Sequence, residues 1–202
     1  MDLHHFLRTR RSIRRFKPIP VSLDILTRIL ETAMYAPSAH NRQPWRFTVI
    51  TDEINKTHLS LLMTADFHRD LIADGLGELE IETRINRSKN RIINAPVIII
   101  LCMDMSEMDV FADLTGSHAL AERTMAIQSV ASAGLQLQLA AHAEGLASVW
   151  TCSPLFAQSS VRLALDLPEN WEPQAMFFLG YSSEPPKEKR LKTLEEVVKF
   201  LV

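Results

Sequence analysis

Residues 96–103 read PVIIILCM, a proline followed by seven apolar side chains, the first four of them β-branched. The run shows no polar alternation, so as a strand it has to be covered on both faces. One sheet with helices above and below meets that demand, in an α/β or α+β domain. Upstream, WRFTVIT at 45–51 is aromatic and β-branched and reads as a second strand. Residues 53–92 carry a helical pattern, with Glu and Arg interleaved along 77–91 as on an exposed helix. Downstream, the segment from His118 to Ala143 is small or apolar almost all the way round, the mark of a buried helix or a subunit contact. Gly145 gives it a stop.

The remaining elements extend the same plan. ASVWTC at 147–152 and QAMFFLGY at 174–181 read as strands, joined by a helix through Phe156 to Leu165 that stops at Pro168. Near the start, Ser22 caps a helix whose Ile25, Leu26, Ile29, Leu30, Ala33 and Met34 form one apolar stripe, ending before Pro37. The tail TLEEVVKFLV, 193–202, is apolar at its end and is expected to dock against something. With no linker or internal repeat, the 202 residues are expected to form a single domain over 1–202.

Charge and cysteine usage exclude several classes. The 24 acidic and 22 basic side chains give a formal charge of −2, so no general field draws the chain onto nucleic acid or an anionic membrane. MDLHHFLRTR breaks any apolar run with His and Arg, unlike an export signal. PVIIILCM is far shorter than the ~20 residues that span a bilayer. The expected location is cytoplasmic. Cys102 and Cys152 sit in apolar, strand-like sequence and are expected to be reduced core thiols. No HExxH or paired CxxC spacing points to a metal.

Two stretches could carry chemistry. RTRRSIRRFK, 8–17, places six basic residues in ten positions. Such a run is a solvated face or an anion site; Arg10, Arg11, Ser12 and Arg14 combine forked guanidinium donors with a hydroxyl, which suits a phosphate. APSAHNRQPWRF, 36–47, is a polar helix-to-strand connection or a cradle for a flat heterocycle. There Ser38, Asn41 and Gln43 offer hydrogen bonds and the small Ala39 admits close backbone approach.

Taken together, RRSIRRF, the capped helix and APSAHNRQPWRF resemble the opening signature of the nitroreductase family of FMN-dependent oxidoreductases. The likeness continues in order through AAHAEGLAS, SPLF, FFLGY and LEEVVKF, over essentially the whole chain. LDLPENWEPQAMFFLGYSSEPP looks most like the branch containing the FMN-binding domain of coenzyme F420 biosynthesis proteins, which often carry an upstream ligase domain that this sequence does not include.

The resemblance implies an α+β nitroreductase-like fold, with a central, mainly antiparallel sheet flanked by helices and an interlocked homodimer holding FMN at the subunit interface. It assigns Arg10, Arg11, Ser12 and Arg14 to the cofactor's phosphate, ribityl chain and pyrimidine edge, and Lys189 or Arg190 to the phosphate. Pro37, Ser38, Ala39 and Asn41 would come from the partner subunit, Gln43 would also bind the cofactor, and Cys152 and Ser153 would lie along the other edge of the ring. The implied reaction is ping-pong transfer of hydride from NAD(P)H or reduced F420 to a small electron-poor acceptor, with no side chain named as catalytic. Two other readings stand beside it: the reductase step of F420 biosynthesis acting on dehydro-F420, and a non-enzymatic anion- or nucleic-acid-binding domain.

Overall fold

The computed structural model describes residues 2–109 and 116–202. Polar caps start the early helices. Asp2 accepts from the His4 amide at 3.0 Å to open α1, Leu3–Thr9. Ser22 caps α2, Leu23–Ala33, which buries Leu26, Ile29 and Ala33 as one stripe. Asp52 caps α3, Glu53–Ala73, with the Asn55 amide 2.8 Å from its carboxylate. The helical stretch 53–92 breaks at Asp74–Gly77, where Gly75 adopts φ +75°, and α4, Glu78–Ile93, runs back antiparallel to α3.

Four strands make one sheet: β1, Trp45–Ile50; β2, Val97–Asp104; β3, Ala147–Thr151; and β4, Trp171–Gly180. Their order is β1-β2-β4-β3, antiparallel throughout, with β1 and β3 at the edges. Every residue of β2 is buried, as its uniform sequence requires. Val97, Ile99, Leu101 and Met103 face α2 and the 27-residue α5, Ser117–Ala143, whereas Ile98, Ile100 and Cys102 face a second core. That second core is built from Leu59 and Met63 of α3, Ile92 of α4, and Val161 and Ala164 of α6, Gln158–Leu165.

One sequence expectation changes in the folded chain, and two others are not met by the single chain alone. Cys152 is exposed, because β3 ends at Thr151 and the cysteine opens a 3-10 turn over Ser153–Phe156; only Cys102 is a core thiol. The apolar α5 is not covered on every side: Leu120, Ile127 and Leu135 are 69%, 42% and 51% exposed. The tail buries nothing against its own chain, since every residue from 185 onward, including the four-residue α7, Leu194–Val197, is exposed, although the Lys187 carbonyl accepts a hydrogen bond from Arg11. No helix among the described residues is long and apolar enough to cross a membrane.

Candidate functional site

RRSIRRF, 10–16, is extended and lies along the β3 edge. The Ile13 amide donates to the Ser148 carbonyl at 3.1 Å, and the Lys17 amide reaches the Tyr181 carbonyl at 2.8 Å. Ile13 is buried, so side-chain alternation turns Ser12 and Arg14 outward, where both are exposed. Arg10 is half-buried, and its buried Nη1 has no hydrogen-bond partner among the described residues. Burial, and then the neighbouring Arg11 charge, push the Arg10 guanidinium below its ordinary pKa. His142, at the end of α5, stacks on Phe6 and stands 3.1 Å from Thr9 Oγ1; burial and Arg10 lower its pKa.

Arg11 has a different role from its neighbour. Its guanidinium donates to the carbonyls of Arg8 at 2.6 Å, Arg10 at 2.9 Å and Lys187 at 3.1 Å. That last bond ties the KEKR stretch to the basic cluster, with Lys189 and Arg190 exposed just beyond it.

A cavity of about 860 Å³ opens between the α3–α4 hairpin and the β3–β4 side of the sheet. Thr151 and Ser153 line it from the turn after β3, and Arg87, Ser88 and Arg91 line it from α4. Burial and the nearby Arg14 and Arg87 charges hold the Arg91 guanidinium below its ordinary pKa. Three arginines thus converge, and among the described residues no carboxylate forms an ion pair with the guanidinium of Arg14, Arg87 or Arg91, although the Arg14 main-chain amide donates to Glu184 at 3.2 Å. Sequence reasoning missed Arg87, Ser88 and Arg91. Their sequence signal is two arginines one helical turn apart, a spacing that an exposed, solvated helix face shares.

The loop 36–44 lies elsewhere, ahead of the opposite edge strand β1. His40, Asn41 and Gln43 hold φ of 48°, 53° and 51°, left-handed values that cost non-glycine residues energy and gather at functional segments. Ser38 Oγ accepts from the Gln43 amide at 3.1 Å, and Ser129 Oγ of α5 accepts from the Ala39 amide at 3.1 Å. Gln43 Nε2 donates to Asn41 Oδ1 at 3.2 Å, and Pro37 and Asn41 are exposed.

The family model described as Nitroreductase family matches residues 7–181. The chain belongs to the nitroreductase family. A Bacillus subtilis protein, YfhC, provisionally named as an NAD(P)H nitroreductase, is 29% identical over 93% of this chain and 88% of its own length. A Caenorhabditis elegans homologue of iodotyrosine dehalogenase 1 is 30% identical over 96% of this chain and 59% of its own. A provisionally named nitroreductase from Desulfovibrio desulfuricans, solved in complex with FMN, superposes with a TM-score of 0.76 at 24% identity, covering 100% of this chain and 98% of that one. A BluB-like flavoprotein from Clostridium difficile gives a TM-score of 0.81 at 23% identity, with both chains covered in full. These neighbours share the nitroreductase fold, with its antiparallel sheet and flanking helices. Among the described residues, no group of three or more His, Cys, Asp or Glu could hold a metal ion.

Proposed function

We propose that this protein is an FMN-dependent oxidoreductase, a single nitroreductase-like domain over 1–202 that works as a homodimer. The observation that carries the reading is Arg10 Nη1, a buried cationic donor with no acceptor among the described residues. An unmatched buried donor of this kind is costly, and a phosphate supplies the missing acceptor. The convergent Arg14, Arg87 and Arg91 and the adjoining cavity fit the rest of the cofactor.

Bound FMN supplies two-electron transfer between a reduced nicotinamide or deazaflavin carrier and an electron-poor acceptor. Arg10 and Ser12, with Lys189 or Arg190, hold the phosphate and its ribityl neighbour. Arg11 anchors the segment that brings Lys189 and Arg190 to the site. Arg14 and Arg91 set positive charge near the pyrimidine edge, where it favours the reduced, anionic form. Cys152 and Ser153 present backbone amides at the start of a short helical turn, where the first N–H groups have no intrahelical partner. No side chain is assigned as acid or base.

A homodimer is favoured by where the two groups of site residues sit. Cys152 and Ser153 follow one edge strand, while Pro37, Ser38, Ala39, Asn41 and Gln43 precede the other, three strand spacings or roughly 14 Å across the sheet. A second copy can bring the strained loop to the cavity and cover the exposed apolar face of α5 and the tail.

The test is to purify the protein, record its flavin absorbance and reduce it anaerobically with NADH, NADPH and reduced F420 in parallel. A yellow dimer that bleaches with one donor and recovers on adding a nitroaromatic or quinone supports the reading. A colourless monomer that refuses FMN and binds DNA with steep salt dependence overturns it in favour of the nucleic-acid binder.

A further inference from the structure

The helix α1 is clasped to the rest of the fold by a single side chain. None of its seven residues is buried, and among the described residues the side-chain hydrogen bond and the ring contact that join it to the chain both end on His142, in the last turn of α5. The His142 ring stacks on Phe6 with centroids 4.9 Å apart, and its Nε2 stands 3.1 Å from Thr9 Oγ1. Thr9 ends α1 and Arg10 caps it, so the residue whose Nη1 lacks an acceptor among the described residues follows directly on the clasp.

The hydrogen bonds also decide where the protons lie on the ring. Thr9 Oγ1 donates its single hydrogen to the Phe6 carbonyl at 2.9 Å, so toward His142 it accepts, and Nε2 carries the hydrogen between them. Nδ1 makes no hydrogen bond among the described residues and is the nitrogen left to titrate. A proton there leaves the bond to Thr9 intact. Burial, and then Arg10, oppose that proton, while the C-terminal end of α5 favours it. The other charges around the ring are engaged or turned away. Asp2, four residues before Phe6, caps the His4 amide; Arg11 is spent on three carbonyls; and Glu144 binds Arg28 of α2 at 3.0 and 2.7 Å. His4, His5 and Arg8 lie off the Phe6–Thr9 face of α1 and are exposed.

We infer that His142 is a positioning residue for the flavin phosphate: it seats α1 so that Arg10 is aimed at the anion, and it takes a proton from solvent at Nδ1 when the phosphate arrives, which ties cofactor retention to pH. This role rests on the flavin reading above and adds a regulator to it. A phosphate against Arg10 cancels the positive field at the ring and puts negative charge nearby, so the imidazolium is held more firmly in the complex than in the flavin-free protein. The sign follows from linkage. The extra affinity is complete below the flavin-free pKa of His142, itself under 6.5, and is lost as pH rises through the higher value in the complex.

The test is to strip the flavin from the full chain and titrate it with FMN, followed by flavin fluorescence, from pH 5.5 to pH 8.5, beside His142→Gln, whose side-chain amide can still donate to Thr9. Ionisation of the free phosphate, at about pH 6, affects both proteins alike and drops out of their ratio. The Kd of the variant divided by that of the wild type is expected to be close to one at pH 8.5 and to rise by roughly threefold or more at pH 5.5. Should the variant fail to fold, an NMR titration of the wild-type His142 ring, identified by its contact with Phe6, carries the test: the midpoint is expected to move up when FMN is added. A ratio that stays level or falls toward low pH, or a midpoint that FMN does not raise, overturns the inference and leaves the flavin reading standing. If neither protein binds FMN at any pH, both readings fall.

Discussion

The ring of Trp150 lies so close to Gly134 that a Cβ on the glycine would stand 2.6 Å from Trp150 Cζ3 and 3.0 Å from Phe177 Cζ. This is how α5 comes down onto the β3–β4 ladder, and it explains a glycine in the middle of a long helix. Gly134→Ala removes a helix-interior glycine, worth about 1 kcal/mol in propensity, but forces two packed rings apart at a cost of about 1–3 kcal/mol. The variant is expected to be less stable in urea unfolding, and an unchanged midpoint would show that the rings give way freely.

Arg10→Met separates cofactor affinity from folding. Removing a half-buried cation whose buried Nη1 lacks a partner among the described residues is expected not to lower the stability of the flavin-free protein, whereas loss of the phosphate partner weakens FMN binding by at least tenfold, on the order of a charged hydrogen bond. Flavin fluorescence titration beside thermal unfolding of the flavin-free form reads both effects, and equal FMN affinity in the two proteins would contradict the assignment.

Arg14 adds positive charge to a group that already includes Arg87 and Arg91. Arg14→Ala is expected to lower the flavin reduction potential by roughly 20 mV, what about 1 kcal/mol amounts to in a two-electron couple. A redox titration against a reference dye checks the sign.

The two thiols should behave differently. Burial pushes Cys102 from 9.0 up to about 12, while Cys152 is exposed. At pH 8 a thiol reagent is expected to modify one cysteine in the native protein and two after unfolding. The sign for stability follows: the unfolded thiol ionises above pH 9.0 and the folded one only near 12. The stability from the buried neutral thiol is therefore complete below about 9 and declines as pH rises toward about 12. In alkaline denaturation, Cys102→Ala should flatten that decline.

Burial works against ionisation of Asp104, but hydrogen bonds from Ser106 and Asn170 and the charge of Arg46 outweigh it, and its carboxyl sits below the usual 3.8. Its stabilisation is present above 3.8 and is lost as pH falls through the lower folded value. Asp104→Asn is expected to cost about 1–3 kcal/mol at pH 7, since among the described residues Arg46 then keeps only the more exposed Glu107 as an ion-pair partner, and to cost less as the acid limb is approached. Urea unfolding at pH 7 and at pH 3 measures the convergence.

The sequence by itself determined which segments fold and which faces turn inward. The β2 run fixed a strand buried on both sides, the α2 stripe fixed that helix's inner face, and RRSIRRF with APSAHNRQPWRF marked the family, because alternation, helical period and capping are local properties of neighbouring residues. Only the tertiary structure decided what those faces meet. Arg87 and Arg91 become part of the candidate site because the α3–α4 hairpin returns Arg91 within reach of the Arg14 charge, more than seventy positions away in sequence. Cys152 is exposed because its strand stops one residue earlier, and Arg11 adds a third carbonyl to those of Arg8 and Arg10 because the chain passes it at Lys187. Periodicity records whether a side chain points inward or outward, whereas its partner is set by long-range packing, and the chemistry of this cavity depends on partners.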